Sequence, residues 1–470
     1  MINTISGMLF PIITFPYVSR VLLADGLGKI NFLNSIISYI SLLSCLGIPL
    51  YAVREIAKVR SDARLLSKTA SEILILHLGL TLIGYMIVFA LSILVDKINA
   101  DIVIFFILSF TLIFTTIGCE WLFQGVEDFK YITIRGLIVK VTSVVLLFCL
   151  VKSREDIVWY AVYTVVGVLG GNIFNFVRLR KYIKISDYKF AELNPLRHLK
   201  PALHIFVLNL IISIYVNLDT VMLGFRSDET AVGLYTAASR LSKMCLGITG
   251  ALGTALLPRF SNLIANNDFE QFNRLASKAV RYIVAISLPI AAAMVVLSPS
   301  IIRLFAGDTY APAIETLSLL SPIIVFIAIS GTLGIQILYP QGKENIVILS
   351  TAIGALLNFT LNWFLIPTYA QNGAALATLF GELSVTLAMI ILGRKYLPQN
   401  FLNVSYINYI LGVVLMTISL VFIRLQHFND ITTLITSFVI GSTIYLLYLL
   451  ATKDELGIMV KSIILKIIKR

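Results

Sequence analysis

Apolar residues run through this chain in stretches of about twenty, separated by short polar segments, and the pattern recurs fourteen times. A helix rises ~1.5 Å per residue, so ~20 apolar residues cross the ~30 Å hydrocarbon layer of a bilayer. The expected spans are 5–22, 31–52, 72–95, 102–123, 131–151, 157–177, 203–224, 232–256, 280–302, 314–339, 346–366, 373–393, 405–423 and 433–451. A membrane β-barrel would instead alternate polar and apolar positions in strands of about ten residues. The expected fold class is therefore an all-α polytopic membrane protein with about 14 transmembrane helices.

Composition supports this. The 470 residues are 58% hydrophobic and 13% charged, against ~25% charged in an ordinary soluble domain. Cys45, Cys119, Cys149 and Cys245 all fall inside apolar runs, where they act as small hydrophobes. They form no disulfide framework, and no metal site is expected. The first cation is Arg20, so the start lacks the basic region of a secretory signal, and the first helix is expected to be retained.

Charge then sets sidedness. With the amino terminus placed inside, the inner segments hold 25 of the 37 lysines and arginines, the outer segments 8 and the spans 4. This bias is the positive-inside pattern, and it puts both termini in the cytoplasm. The net charge of +12 thus reflects topology, and nucleic acid is not an expected partner. The tail 453–470 sets apolar residues against Lys461, Lys466, Lys469 and Arg470 at helical spacing, as in an anchor on the anionic inner leaflet. The inner loops 53–71 and 258–281 have the same amphipathic character.

Several classes of function are disfavoured. The outer loops are short, which leaves no platform for the sugar acceptor of a glycan polymerase. Neither Gly26-Leu27-Gly28-Lys29 nor Gly342-Lys343 has the spacing of a phosphate-binding loop. His77, His198, His204 and His427 are scattered without ligand spacing. No Ser/His/Asp or paired-carboxylate arrangement stands out from the background, and the chain is expected not to be an enzyme.

A weak repeat runs through the chain. Gly28-Lys29-Ile30-Asn31-Phe32 opens the second span after Ala24-Asp25, and Gly233-Leu234-Tyr235-Thr236-Ala237 opens the eighth after Asp228-Glu229. Six spans separate them, so two copies would share one orientation in the bilayer.

Polar residues recur at spacings of 3 and 4, on single helix faces. Such stripes are Asn34, Ser38, Ser41 and Cys45; Asn209, Ser213, Asn217 and Thr220; and Thr351, Ala355, Asn358 and Asn362. They serve either as packing glue between helices or as the lining of a wet cavity. Ionisable residues in spans are costlier, at roughly 2.5–3.5 kcal/mol each at the bilayer centre. Arg240 and Lys243 share one face of the eighth span, Arg135 and Lys140 lie in the fifth, Asp219 in the seventh, Glu120 in the fourth and Glu382 in the twelfth. The plainer alternative is ion pairing, such as Glu120 with Arg135 or Asp219 with Arg240 or Lys243. The surplus of cations points to a cavity that receives an anion.

Phe10-Pro11-Ile12-Ile13-Thr14-Phe15-Pro16-Tyr17-Val18-Ser19-Arg20 and Leu46-Gly47-Ile48-Pro49-Leu50-Tyr51-Ala52-Val53-Arg54-Glu55 resemble the amino-terminal region of bacterial O-antigen and capsule repeat-unit flippases. This is the polysaccharide transporter branch of the multidrug and oligosaccharidyl-lipid exporter superfamily. Asn217-Leu218-Asp219-Thr220-Val221-Met222-Leu223-Gly224 resembles its second-half signature. The family often has a longer first helix ahead of the equivalent of Phe10.

The resemblance implies two six-helix lobes (1–200 and 201–396) around a central cavity, two peripheral helices (397–452) and the basic tail. It implies alternating access for an undecaprenyl-diphosphate-linked oligosaccharide, carried from the cytoplasmic to the outer leaflet of the inner membrane. Membrane lipids, a polysaccharide polymerase and chain-length proteins are the implied partners. Arg240, Lys243, Arg135 and Lys140 would suit the diphosphate, and Asn209, Ser213, Asn217, Asn358 and Asn362 the sugar. Asp219, Glu382 or Glu120 would serve coupling or gating. No cofactor is expected beyond a coupling proton or sodium ion. Competing readings are cation-coupled drug extrusion, export of a peptidoglycan precursor and, less favoured, a membrane glycosyltransferase or polymerase.

Overall fold

In a computed structural model, residues 2–184, 188–398 and 405–458 are described, and they are helical with no strand among them. Contacts group the chain into two units, Met1–Gly233 and Leu234–Arg470. Unit 1 contains α1 (Ile2–Cys45), α2 (Ile48–Val59), α3 (Ala63–Leu94), the short α4 (Asp96–Asn99), α5 (Ile102–Gly118), the short α6 (Glu120–Gly125), α7 (Phe129–Leu150), α8 (Ile157–Leu179) and α9 (Leu199–Arg226). It ends in the first turn of α10 (Glu229–Ala265). Unit 2 holds the rest of α10, α11 (Phe269–Phe305), α12 (Ala313–Leu320), α13 (Ile323–Gly331), α14 (Glu344–Gly393), α15 (Ser405–Leu425) and α16 (Asp430–Ala451).

Length explains how these helices become spans. Among the described residues, ten helical stretches are long and apolar enough to cross a bilayer, and two of them, Phe10–Val59 and Glu344–Gly393, run for 50 residues. Fifty residues of helix would reach ~75 Å, more than twice the hydrocarbon thickness. The first is broken at Leu23 (φ 58°) and again at the Leu46-Gly47 turn, the second at Ala370 (φ 46°), and at Leu23 and Ala370 a non-glycine residue is held in the left-handed region. Dividing both, and adding α9 and α10 with 28 and 37 residues, gives fourteen passages in the expected order. The protein is a multi-pass membrane protein.

Packing follows from the same sequence logic. In unit 1, α1 lies against α3, α5 and α9, and α8 against α5 and α7, around buried Leu22, Leu27, Ile30, Phe105, Leu108 and Leu112. In unit 2, α11 is the hub, packed against α12, α13, α15 and α16. Residues such as Leu82, Phe89, Ile418 and Phe438 stay exposed, as acyl-facing side chains must. The segment 258–281 is no separate surface helix: α10 and α11 extend through it, broken only at 266–268. The segment 53–71 divides between α2, a turn, and the start of α3, whose first backbone N–H groups are capped by Asp62. Most of the basic tail, 459–470, lies outside the described residues.

The two glycines that mark the sequence repeat meet within unit 1. A Cβ on Gly28 would stand 1.7 Å from the Glu229 carbonyl oxygen, and one on Gly233 would stand 1.8 Å from that of Ala24. Only glycine lets the backbones approach so closely. Nearby, the Phe32 ring occupies the space where a Cβ of Gly224 would lie. Gly233→Val is therefore expected to lower detergent stability by ~3 kcal/mol, at the upper end of overpacking costs, because backbone must move. Thermal size-exclusion profiles test this against Gly79→Ala, whose added methyl group meets no atom within 4 Å; equal melting of the two variants refutes it.

Candidate functional site

Unit 1 carries a polar stripe on the second half of α1. Asn31, Asn34, Ser38 and Ser41 are half-buried, and the Ser38 hydroxyl donates to the Asn34 carbonyl at 2.8 Å. Back-bonding of this kind removes the hydroxyl proton from the apolar surroundings while leaving an acceptor free. α9, packed beside α1, presents half-buried Asn217 and buried Asp219, which is 6% exposed. The side chains of Asn209, Ser213 and His204 lie outside the described residues.

Glu120 and Arg135 are brought together, at 3.5 Å, at one end of unit 1. Arg135 is buried, and its Nε lies against Gly171, where an added Cβ would stand 3.0 Å away. Its guanidinium faces the Tyr131 ring at 5.8 Å, and Arg178 stacks on the same ring at 4.1 Å while pairing with Asp128 at 2.9 Å. Lys140 is half-buried. Five residues beyond Arg135, it projects ~140° around the helix from it, so the two cations do not share a face.

Unit 2 holds the other pair. Arg240 and Lys243 are both exposed, while Leu241 and Ser242 between them are buried. The Tyr235 hydroxyl lies 3.0 Å from the Thr378 hydroxyl and ties α10 to α14. Glu382 is buried one turn beyond Thr378, and Thr386 donates to its carbonyl at 3.0 Å. Asn358 and Asn362 have no exposed surface, and the Asn362 amide donates to the Asn358 side-chain oxygen at 3.0 Å. In this state their side chains pack within the helices of unit 2. A groove of about 490 Å³ runs between α11, α15 and α16, lined by Ile286, Ile290, Met294, Leu434, Phe438 and Leu446 among others.

Two charged clusters in unit 1 were not singled out by sequence reasoning. The buried Glu72 carboxylate accepts the Asn194 backbone N–H at 2.9 Å, contacts His198 Nε2 at 3.0 Å and pairs with Arg197. The other ring nitrogen of His198 meets the Tyr51 hydroxyl at 2.7 Å. Burial, the leading cause, holds the His198 pKa below its usual value. The second cluster centres on Lys29, 2.8 Å from Asp101 and 3.8 Å from Glu229.

A family described as polysaccharide biosynthesis protein matches residues 1–264. The chain belongs to that family. A second family, MatE, matches residues 205–364. Among its relatives, a Shigella dysenteriae protein named for O-antigen transport is 29% identical over 82% of this chain and 96% of its own length. A similarly named Escherichia coli K12 protein is 25% identical over 83% and 94%. The fold is similar to that of a solved structure described as a lipid II flippase MurJ in its inward closed conformation, with TM-score 0.65 and 18% identity, covering 95% of this chain and 99% of that one. An inward-facing multidrug resistance transporter of the MATE family also gives TM-score 0.65, at 15% identity over 84% and 94%.

Proposed function

We propose that this protein is a flippase for lipid-linked glycan, moving undecaprenyl-diphosphate-linked repeat units from the cytoplasmic to the outer leaflet of the bacterial inner membrane. The observation that carries the reading is the exposed Arg240 and Lys243 pair on one face of a membrane helix. Both side chains carry a positive charge that the oxygens of a diphosphate would attract. Relatives named for O-antigen transport, matched over nearly their whole length, support a glycan carrier.

In this mechanism Arg240 and Lys243 hold the diphosphate and Lys140 offers a further cation within unit 1, whereas Arg135, buried and paired with Glu120, is taken up by the plainer role of ion pairing. The half-buried stripe on α1 and Asn217 offer amide and hydroxyl groups to the sugar. The apolar groove of unit 2 has the lining an isoprenoid chain needs. An inside-negative potential favours outward movement of two negative charges by ~4–5 kcal/mol per 100 mV. Where a proton or sodium ion is exchanged, Asp219, Glu382 and Glu120 are the carboxylates to carry it. The bias of Lys and Arg toward alternate loops supports cytoplasmic termini in this reading.

The test is reconstitution in vesicles with a fluorescent polyprenyl-diphosphate oligosaccharide, its leaflet read by a membrane-impermeant quencher. Protein-dependent movement is expected for the glycan lipid, with little movement of lipid II or efflux of a cationic dye. Preferred transport of either competitor, or no movement of the glycan lipid, refutes the reading.

A further inference from the structure

One end of unit 1, on the side read above as cytoplasmic, holds an arginine whose hydrogen-bonding groups are only partly answered. Arg135 is 9% exposed, and its contact with Glu120 at 3.5 Å engages a single amino group, Nη2. Its Nε and Nη1 are buried and have no hydrogen-bond partner among the described residues. Burying a charged donor without an acceptor is costlier than burying a neutral one, so such groups call for an acceptor from elsewhere. The face of α8 that meets Arg135 at Gly171 adds to the demand one and two turns further on. Neither polar atom of the buried Asn175 side chain has a partner among the described residues, and neither does the Nε of Arg178.

Beside Arg135 opens a cavity of about 160 Å³, whose other walls are Tyr131, Ile134, Ile138 and Phe174. Ile134, Ile138 and Phe174 are each about half exposed, and in a membrane passage such apolar surface is covered by acyl chains. Arg135 lies ~9 Å along α7 from its first residue, near enough to the interface for a headgroup phosphate to be reached. Buried N–H groups beside an apolar groove that opens sideways suit a molecule with a phosphate at one end and a hydrocarbon chain at the other. Exposed Lys130, Arg180 and Lys181 stand at this same end of α7 and α8. They favour a headgroup of net negative charge over a zwitterion, whose ammonium group they would repel.

We propose that the α7–α8 face of unit 1 holds one anionic glycerophospholipid, its phosphate on Arg135 and one acyl chain along Ile134, Ile138 and Phe174. Phe174 is half exposed, so its ring can turn outward into the acyl layer without breaking core packing, and that uncovers the guanidinium. A phosphate oxygen then accepts a charge-assisted hydrogen bond from Nε or Nη1 and leaves Nη2 to Glu120. The bound lipid joins α7 to α8 beside the short turn that carries Glu120.

Native mass spectrometry of the full chain in mild detergent, with dioleoyl phosphatidylglycerol or dioleoyl phosphatidylethanolamine added, tests this. The wild type is expected to retain one phosphatidylglycerol and to bind it at least about fivefold more tightly than phosphatidylethanolamine, the effect of one basic residue near the headgroup. Arg135→Gln should weaken phosphatidylglycerol binding at least about tenfold, the effect of one hydrogen bond to a charged group. Ile138→Trp, at an exposed position, fills the groove and should cause a similar loss. Val145→Trp, two turns further along the same face of α7 and outside the groove, should bind as the wild type does. The wild-type comparison and Ile138→Trp decide if Arg135→Gln does not fold. No retained lipid, equal binding of the two lipids, or undiminished binding in Ile138→Trp overturns the proposal. Release of the lipid by inorganic phosphate overturns it too, because that marks an ion site in which the groove plays no part, and so does its displacement by an equal concentration of polyprenyl diphosphate, which assigns the site to cargo. The site is separate from Arg240 and Lys243, so its failure leaves the flippase reading standing.

Discussion

Replacing Arg240 and Lys243 together with glutamine is expected to abolish the proposed glycan export while the protein accumulates at its normal level. A hydrogen bond to a charged group contributes ~1.5–3 kcal/mol, so losing two such contacts to the diphosphate slows movement at least about 100-fold. Stability is spared because both side chains are exposed, and removing exposed charges changes little in folding. The single variants should fall between, and Arg240→Lys should keep more activity than Arg240→Gln because it retains the charge but not the two-pronged geometry. Surface glycan staining in a strain lacking its own exporter, with immunoblots for protein level, checks this. Normal staining with the double variant removes the pair from the mechanism.

The fold was largely legible because the bilayer imposes a length on every helix. Fourteen apolar runs became fourteen helical passages, including those joined through Leu23 and Ala370. Those joints were visible only as the interruptions Ala24-Asp25 and Gln371-Asn372. The Glu120–Arg135 contact was foreseeable, because two opposite charges flanked one short turn between spans. The Asn358 and Asn362 stripe shows where periodicity stops informing: spacing says that two amides share a face, but not whether that face meets water or another helix. Here they bond to each other without exposed surface.

Glu72 was harder still. It stands at the edge of an apolar run, and its partners lie 122 and 126 positions away at Asn194 and His198. Nothing in the spacing of a single sequence encodes such a contact. The Lys29 cluster joins residues 72 positions apart at Lys29 and Asp101 for the same reason. What the sequence did signal there was the pair of glycine-led motifs, whose structural meaning is the crossing of the two helix starts they open.

Glu72→Ala is expected to be the most destabilising single substitution in unit 1 that leaves backbone sterics untouched. Glu72 is wholly buried, and its loss strands the Asn194 N–H and the His198 ring, while the half-exposed Arg197 guanidinium turns to water. Leaving buried hydrogen-bonding groups without their acceptor costs ~1–3 kcal/mol. Because the partners lie in the turn leading into α9, the loss frees the start of the helix that carries Asn217 and Asp219. Glu72→Gln keeps one acceptor oxygen and should cost less, about 1–2 kcal/mol. The pH response separates this from a simple packing defect. His198 has its pKa lowered in the folded state, so the unfolded chain takes up a proton first as pH falls through ~6.5, and wild-type stability declines below that point. Glu72 opposes the lowering. Its removal therefore drops the His198 pKa further and steepens the acid loss. Thermal melts of the purified protein between pH 8 and 5 should show the Glu72→Ala deficit growing toward acid. A deficit that is constant with pH would assign the effect to packing alone.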